Sequence, residues 1–550
     1  MMKKQSILKR LAAAALAAVL CVSLAACGQQ AGGAEEAPAG QTQQPAQSAD
    51  GKKIINLGVT YAPGTINPLS PVSEVASYVT GLMFLPLMEV DSNMQFQPML
   101  AESVTTEDNL TFTIKLDPRA KWTDGEPVDA DDLIFTIRCI ANEKVGSIYT
   151  YMYANFLGFD ENGFLPESGE AEGLVKVDDH TVQLIAKEPM AMNTFNNAIS
   201  RCLWVIPEHV LKDVPPEELV ASSFFQKPDV TNGPFTMIAY DRDHYVQLAA
   251  NPDYFKGAPK IDQLNFNVMQ GSQVLARLQS GEIDLNLPSL GVIPITDFES
   301  VQALSGLTTQ LEEPIAHELM YINHEVMPGA RMRQALLYGI NRQMIVDNLL
   351  KGNGEVVDGM LTSYSPFYDE SITATPYDPE KARQLLEESG WDFNQTLTFK
   401  VSSGDETMAQ AANIIAANLA DIGLKVQIQM TDLTTLLNQL YAQDFQLAML
   451  QYSFMPADPY PDVSYLLGTG NVNGYSNARV DELLALIKSE DDLETVKGYY
   501  SELNRICQEE VPMFSVYSPR ALTAVSNRVT GITARQYGAF IDVQNWDIAQ

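Results

Sequence analysis

The sequence predicts a mixed α/β protein of at least two domains, carried behind a short leader. Strand-like and helix-like segments alternate throughout the body, as in a mixed α/β architecture. About 500 residues follow the leader and its tail, more than one hydrophobic core organises. At 46% hydrophobic and 19% charged, the composition is that of an ordinary globular chain.

The leader comes first. Lys3, Lys4, Lys9 and Arg10 form a basic start, and Leu11 to Leu24 is nearly all Ala, Leu and Val. That apolar core is about 14 residues long, short for a membrane span and suited to a signal peptide. Small residues at 25 and 26 then meet Cys27. This is similar to a bacterial lipobox, which predicts a signal peptide over 1–26 and acylation of Cys27. More than one acyl chain on one residue gives a stable anchor to the outer face of the cell membrane. Residues 27–52 are mostly Gly, Ala, Gln, Pro, Glu and Ser, which bury no core and read as a flexible tether.

The body begins at Ile54. Leu110, Phe112, Ile114 and Leu116 alternate, predicting a half-buried strand over 109–116. Asp129 precedes Leu133-Ile134-Phe135 as a helix N-cap. The apolar spacing from Arg331 to Leu350 predicts one long amphipathic helix. Asp378 caps a helix with Pro379 in its first turn and Gly390 after its end. A strand over 397–401, a helix over 408–422 stopped by Gly423, and a strand over 425–429 follow.

Net charge is −34 over the whole chain. Removing the leader's four basic and no acidic residues leaves 31 basic against 69 acidic, a net of −38. Such a body repels phosphate backbones, which excludes nucleic acid as partner. Cys21 lies in the leader. Cys139, Cys202 and Cys507 remain in the body and read as small buried hydrophobes. They allow one disulfide at most, for which Cys139 and Cys202 are the candidates.

Catalytic patterns are missing. His317-Glu318 and His324-Glu325 stand seven apart, not at the i, i+4 spacing that sets two imidazoles on one helix face for zinc. There is no G-x-S-x-G elbow. Gly352-Asn353-Gly354 lacks the rest of a phosphate loop, and Asp160-Glu161-Asn162-Gly163 lacks the distal Glu of a calcium loop. Neither a cofactor nor a metal is expected, and binding is favoured over catalysis. A surface-anchored hydrolase stays open as the minor alternative.

Several segments, in order along the body, carry a resemblance. They are Thr65-Ile66-Asn67-Pro68-Leu69, Pro98-Met99-Leu100-Ala101-Glu102-Ser103, Lys121-Trp122-Thr123-Asp124-Gly125-Glu126-Pro127 and Asn232-Gly233-Pro234-Phe235. Asn251-Pro252-Asp253-Tyr254, Arg333-Gln334-Ala335-Leu336 with Asn341-Arg342, Tyr377-Asp378-Pro379-Glu380 with Gly390-Trp391, and Asp458-Pro459 follow. Together they resemble the extracellular solute-binding proteins of peptide-type ABC importers, the family 5 group that includes dipeptide, oligopeptide and nickel-chelate binders. Trp122 and the Asp124-Gly125 and Asn232-Gly233-Pro234 segments read as turn scaffold rather than ligand contacts.

The resemblance implies a two-lobed binding-protein fold of the large peptide-binding class. Lobe I takes 53–313 and 519–550, and lobe II takes 314–518, with hinges at Glu313-Pro314 and Ser518-Pro519. A monomer of this kind closes on a solute and delivers it to an ABC permease served by a separate ATPase. Matching cleft positions make Tyr61, Ser402, Ser403, Tyr452, Ser453, Phe454, Met455 and Asp458 the candidate ligand contacts. Met455 stands where many relatives carry the acid that clamps a peptide amine, and Ser402-Ser403 stand where the dipeptide group carries an Arg. The resemblance therefore implies an oligopeptide rather than a free dipeptide, with a non-peptide solute such as a metal chelate or oligosaccharide as the alternative.

Overall fold

The computed structural model describes residues 51–549 except Val72, Gly404 and Ala534. The leader 1–26, Cys27 and the tether up to residue 50 lie outside the described residues.

Two large mixed sheets organise the described residues. A seven-stranded sheet runs in the order Leu307–Leu311, Leu522–Ser526, Leu285–Asn286, Ile54–Val59, Gln263–Val268, Tyr245–Ala250 and Phe235–Asp241. A six-stranded sheet runs Gly354–Glu355, Met513–Pro519, Ala316–Ile322, Leu447–Ser453, Thr396–Ser402 and Lys425–Thr431. A four-stranded antiparallel sheet, Ala101–Thr105, Thr111–Leu116, Thr181–Ile185 and Leu174–Asp178, adds to the first body.

The hydrophobic clusters divide along the same line. The largest draws on residues 55–290 and returns at Val525, Val529 and Trp546. Two others lie on opposite faces of the six-stranded sheet. Met320 and Ile322 enter one and Leu319 and Tyr321 the other, because successive strand residues point to opposite faces. With both faces covered, Ala316–Ile322 is buried along its whole length.

The chain passes between the sheets twice. It leaves the first after Leu311 and enters the second at Ala316; it leaves the second after Pro519 and rejoins the first at Leu522. Pro519 still pairs with Gly354, so the return link is Arg520 and Ala521. An ion pair of 2.8 Å between Arg520 and Glu313 ties the two links together.

The capped elements follow their local sequence. Asp129 accepts from the amides of Asp131 and Asp132, and Asp132 answers with a bond to the Asp129 amide, closing a capping box on Ala130–Ile140. Asp378 caps Pro379–Glu388. The expected single helix over 331–350 is instead broken. Ala330–Gly339 stops at Ile340, whose backbone is extended, and Asn341 caps a new turn through the Met344 amide. The break seats Arg342 for a buried ion pair with Asp358, 2.6 Å long. Trp122 anchors its turn through Nε1 to Asp132 at 2.9 Å, and Gly125, at φ +99°, supplies the left-handed residue.

The cysteines depart from expectation in one respect. Cys139 and Cys507 are buried, but Cys202 is only half-buried, because it borders a small side pocket beside Tyr149 and Trp204. All three thiols are free, so Cys139 and Cys202 do not pair. Burial pushes the Cys139 thiol up to about 12 and the Cys202 thiol up to about 11, which leaves neither as a thiolate nucleophile.

Candidate ligand-binding cleft

Between the two bodies lies a cleft of about 1250 Å³. The first body contributes Tyr61, Glu74, Tyr78, Arg201 and the segment 292–296; the second contributes Asp405, Gln451, Phe454 and Asp462. The links and crossing strands supply its floor, with Glu313, Ile315, Glu318, Tyr517 and Arg520. A ligand there would touch both bodies and both connections at once.

The sequence-predicted contacts divide. Tyr61, Ser453, Phe454 and Met455 line the cleft. Tyr452 stands behind it, donating its hydroxyl to Asp462 at 3.1 Å, and Asp462 itself faces the cleft. Ser402 is buried at the end of its strand, while Ser403 is exposed and donates its amide to Thr431; neither lines the cleft.

Asp458 sits in the seam between the bodies instead of in the cleft. It is 4% exposed, and its two oxygens accept from Thr194 Oγ1 and Asn197 Nδ2, each at 3.2 Å. Burial pushes its carboxyl up to about 6. Around it the seam carries a small apolar cluster of Val90, Met94, Met455, Ala457 and Tyr537. Further along, the Met192 amide donates to Asp491 at 2.7 Å, the Ala191 amide to the Lys488 carbonyl at 2.9 Å, and Lys488 pairs with Glu188 at 2.9 Å.

Charge in the cleft is one-sided. Six acids line it, Glu74, Glu313, Glu318, Asp405, Glu406 and Asp462, against Arg201 and Arg520. Both arginines already hold an acid: Arg201 pairs with Glu89 at 2.8 Å and Arg520 with Glu313. Burial pushes the Asp462 carboxyl up to about 6. Glu318 is displaced further, up to about 8, by burial first and by the Asp405 carboxylate second.

In the sequence Glu318 stands out only beside His317, in a pair that lacks zinc-site spacing. Its signal was an acid inside a strand whose next four residues, Leu319 to Ile322, are apolar or aromatic. His317 beside it is structural: its Nδ1 meets Ser515 Oγ at 3.0 Å and Ser518 Oγ at 2.7 Å, and burial lowers it to about 4.

The sequence profile of the bacterial extracellular solute-binding proteins, family 5 (middle part), matches residues 95–474. The chain belongs to this family. It is 24% identical over 560 residues to the oligopeptide-binding protein AppA of Bacillus subtilis, covering 97% of each chain. The structure of AppA from Bacillus subtilis in complex with a nonapeptide superposes with a TM-score of 0.73 at 23% identity, over 91% of this chain and 100% of that one. NikZ of Campylobacter jejuni, in complex with Ni(L-His), gives a TM-score of 0.73 at 21% identity, over 90% of this chain and 99% of the other. The family's two-lobed fold is therefore the fold of this solute-binding protein, with the cleft at the lobe interface. Among the described residues, no helix is long and apolar enough to cross a membrane.

Proposed function

We propose that this family 5 protein captures a peptide longer than a dipeptide between its lobes and presents it to an ABC permease. The observation that carries the reading is the cleft. Its volume of about 1250 Å³ exceeds the roughly 300–1,000 Å³ of ordinary small-molecule sites, leaving room for an extended chain. Its relative AppA, bound to a nonapeptide, supports the same reading.

The lobes hinge at residues 312–315 and 520–521, so lobe I comprises about 53–311 with 522–550 and lobe II the segment between. Cys27 is acylated and holds the protein at the outer face of the membrane, and the tether lets the body reach its permease. Held beside its permease, the protein keeps the captured solute at high local concentration.

Native mass spectrometry of protein purified without denaturation tests the cargo. Retained masses matching peptides are the expected result. An empty protein whose melting temperature no member of a peptide library raises would end the peptide reading, and a retained nickel–histidine complex would replace it with the chelate alternative. Cys27→Ser should move the protein from the membrane fraction into the medium.

A further inference from the structure

Glu318 occupies an unusual place for a carboxylate. It lies on the crossing strand Ala316–Ile322, 2% exposed, yet borders the cleft. Its cross-strand neighbours are Gln451 on one side and Tyr517 on the other, and paired residues share a face of the sheet. The register against Met513–Pro519 shifts between Glu318 and Leu319, leaving Val516 as an extra residue on that neighbouring strand, beside Tyr517 and the cleft.

One oxygen, Oε1, accepts from Gln451 Nε2 at 3.2 Å. The other, Oε2, is buried and has no protein partner among the described residues. The nearby titratable groups are Asp405, at the head of the helix Glu406–Asp421, and Tyr517. Neither brings positive charge, and the two cleft arginines are committed to Glu89 and Glu313. A buried carboxylate oxygen with no donor is costly unless something from outside completes it.

We propose that Glu318 receives a positive charge of the solute, an ammonium or guanidinium group, and that Oε2 accepts the hydrogen bond the protein leaves unmade. This rests on the reading of the cleft as the solute site. In the empty protein the carboxyl, pushed up to about 8 by burial and by Asp405, holds a proton at neutral pH. An entering cation takes its place: the O–H bond breaks, the proton leaves to solvent, and the carboxylate pairs with the solute's N–H groups. Affinity for a cationic solute therefore rises with pH up to about 8 and levels off above it.

The test uses charge twins. Short alanine-based peptides carrying one lysine are compared with the same peptides acetylated at the lysine and the N-terminus, and spermidine with its triacetyl derivative. Calorimetry on the wild type, in two buffers of different ionisation enthalpy at pH 7, should show close to one proton released with a cationic probe and none with its acetylated twin. Glu318→Gln, which keeps the shape of the side chain, should lose about tenfold or more in affinity for the cationic probe, lose the pH dependence, and leave the acetylated twin within about twofold.

Equal binding of the twins, no binding by any cationic probe, or an equal loss for both twins in the variant would overturn the inference. Uncharged peptides that bind regardless would leave the peptide reading standing without it. Spermidine that binds through Glu318 while no peptide binds would do the reverse. The proton release is read on the wild type alone, so a variant that folds poorly does not blunt the test.

Discussion

Asp358, inside the second lobe, and Glu318, at that lobe's cleft face, are withdrawn from water to a similar degree, 6% and 2% exposed. Their surroundings push them in opposite directions. Asp358 receives the Arg342 guanidinium at 2.6 Å, the Thr375 amide and hydroxyl at 2.7 and 2.6 Å, and the Gln508 amide at 2.9 Å. Burial works to raise its carboxyl, yet the guanidinium and these donors together hold it below the usual range. Glu318 receives one amide and no cation, and burial lifts it to about 8. Asp458, in the seam, falls between: two neutral donors and about 6. Burial alone does not decide whether an acid belongs to the scaffold. What distinguishes Glu318 is the donors the protein withholds from it.

The comparison breaks most sharply at its scaffold end. Asp358→Ala leaves a guanidinium buried without its partner and should cost about 3–5 kcal/mol, read by urea unfolding. A loss below about 1 kcal/mol would mean that Arg342 finds other acceptors and that Asp358 is not the fixed point.

The next largest effect is pH dependence. Asp358, lowered in the folded state, contributes stability that is present above its unfolded value near 3.8 and lost as pH falls through its folded one. For Glu318 the sign reverses: between about 4.5 and about 8 the folded protein keeps a proton that the unfolded chain has released, so stability falls as pH rises. Asp458 and Asp462 add the same slope up to about 6. Glu318→Gln should therefore flatten the decline in melting temperature between pH 6 and 8 and leave the lower part in place. An unchanged profile would place the titration elsewhere.

In the seam, Asp458→Ala strips the acceptor from the Thr194 hydroxyl and the Asn197 amide, at about 1–3 kcal/mol. The lobes should separate more readily, which small-angle scattering would read as a larger radius of gyration without ligand. The smallest effect belongs to the rim, where Lys488→Ala removes an exposed ion pair to Glu188 and should shift the urea midpoint only slightly, a shift that disappears at high salt.

The sequence made some of this visible and hid the rest for physical reasons. Local chemistry was legible where one residue decides it: the caps at Asp129 and Asp378, and the alternation of Phe112, Ile114 and Leu116. The break at Ile340 was not, because apolar residues keep helical spacing on both sides of it, while the partner that Arg342 meets beyond the break, Asp358, lies outside the local pattern. Family motifs brought Met455 and its neighbours to notice, yet they missed the seam, since Asp458 meets Thr194 across 264 residues. Glu318 was hidden for a related cause. An acid in an apolar strand reveals its purpose only through the strands beside it, and Gln451 lies 133 residues away.

The second crossing between the sheets bears on synthesis. Leu522–Ser526 slots between Leu285–Asn286 and Leu307–Leu311, Arg528 holds Asp284, and Trp546 is fully buried in the first lobe's core. The first lobe to emerge from the ribosome is thus the last to be completed. Its central sheet lacks the strand between Leu285–Asn286 and Leu307–Leu311 until nearly the whole chain has been made, so its longest-range pairings are the last that can form.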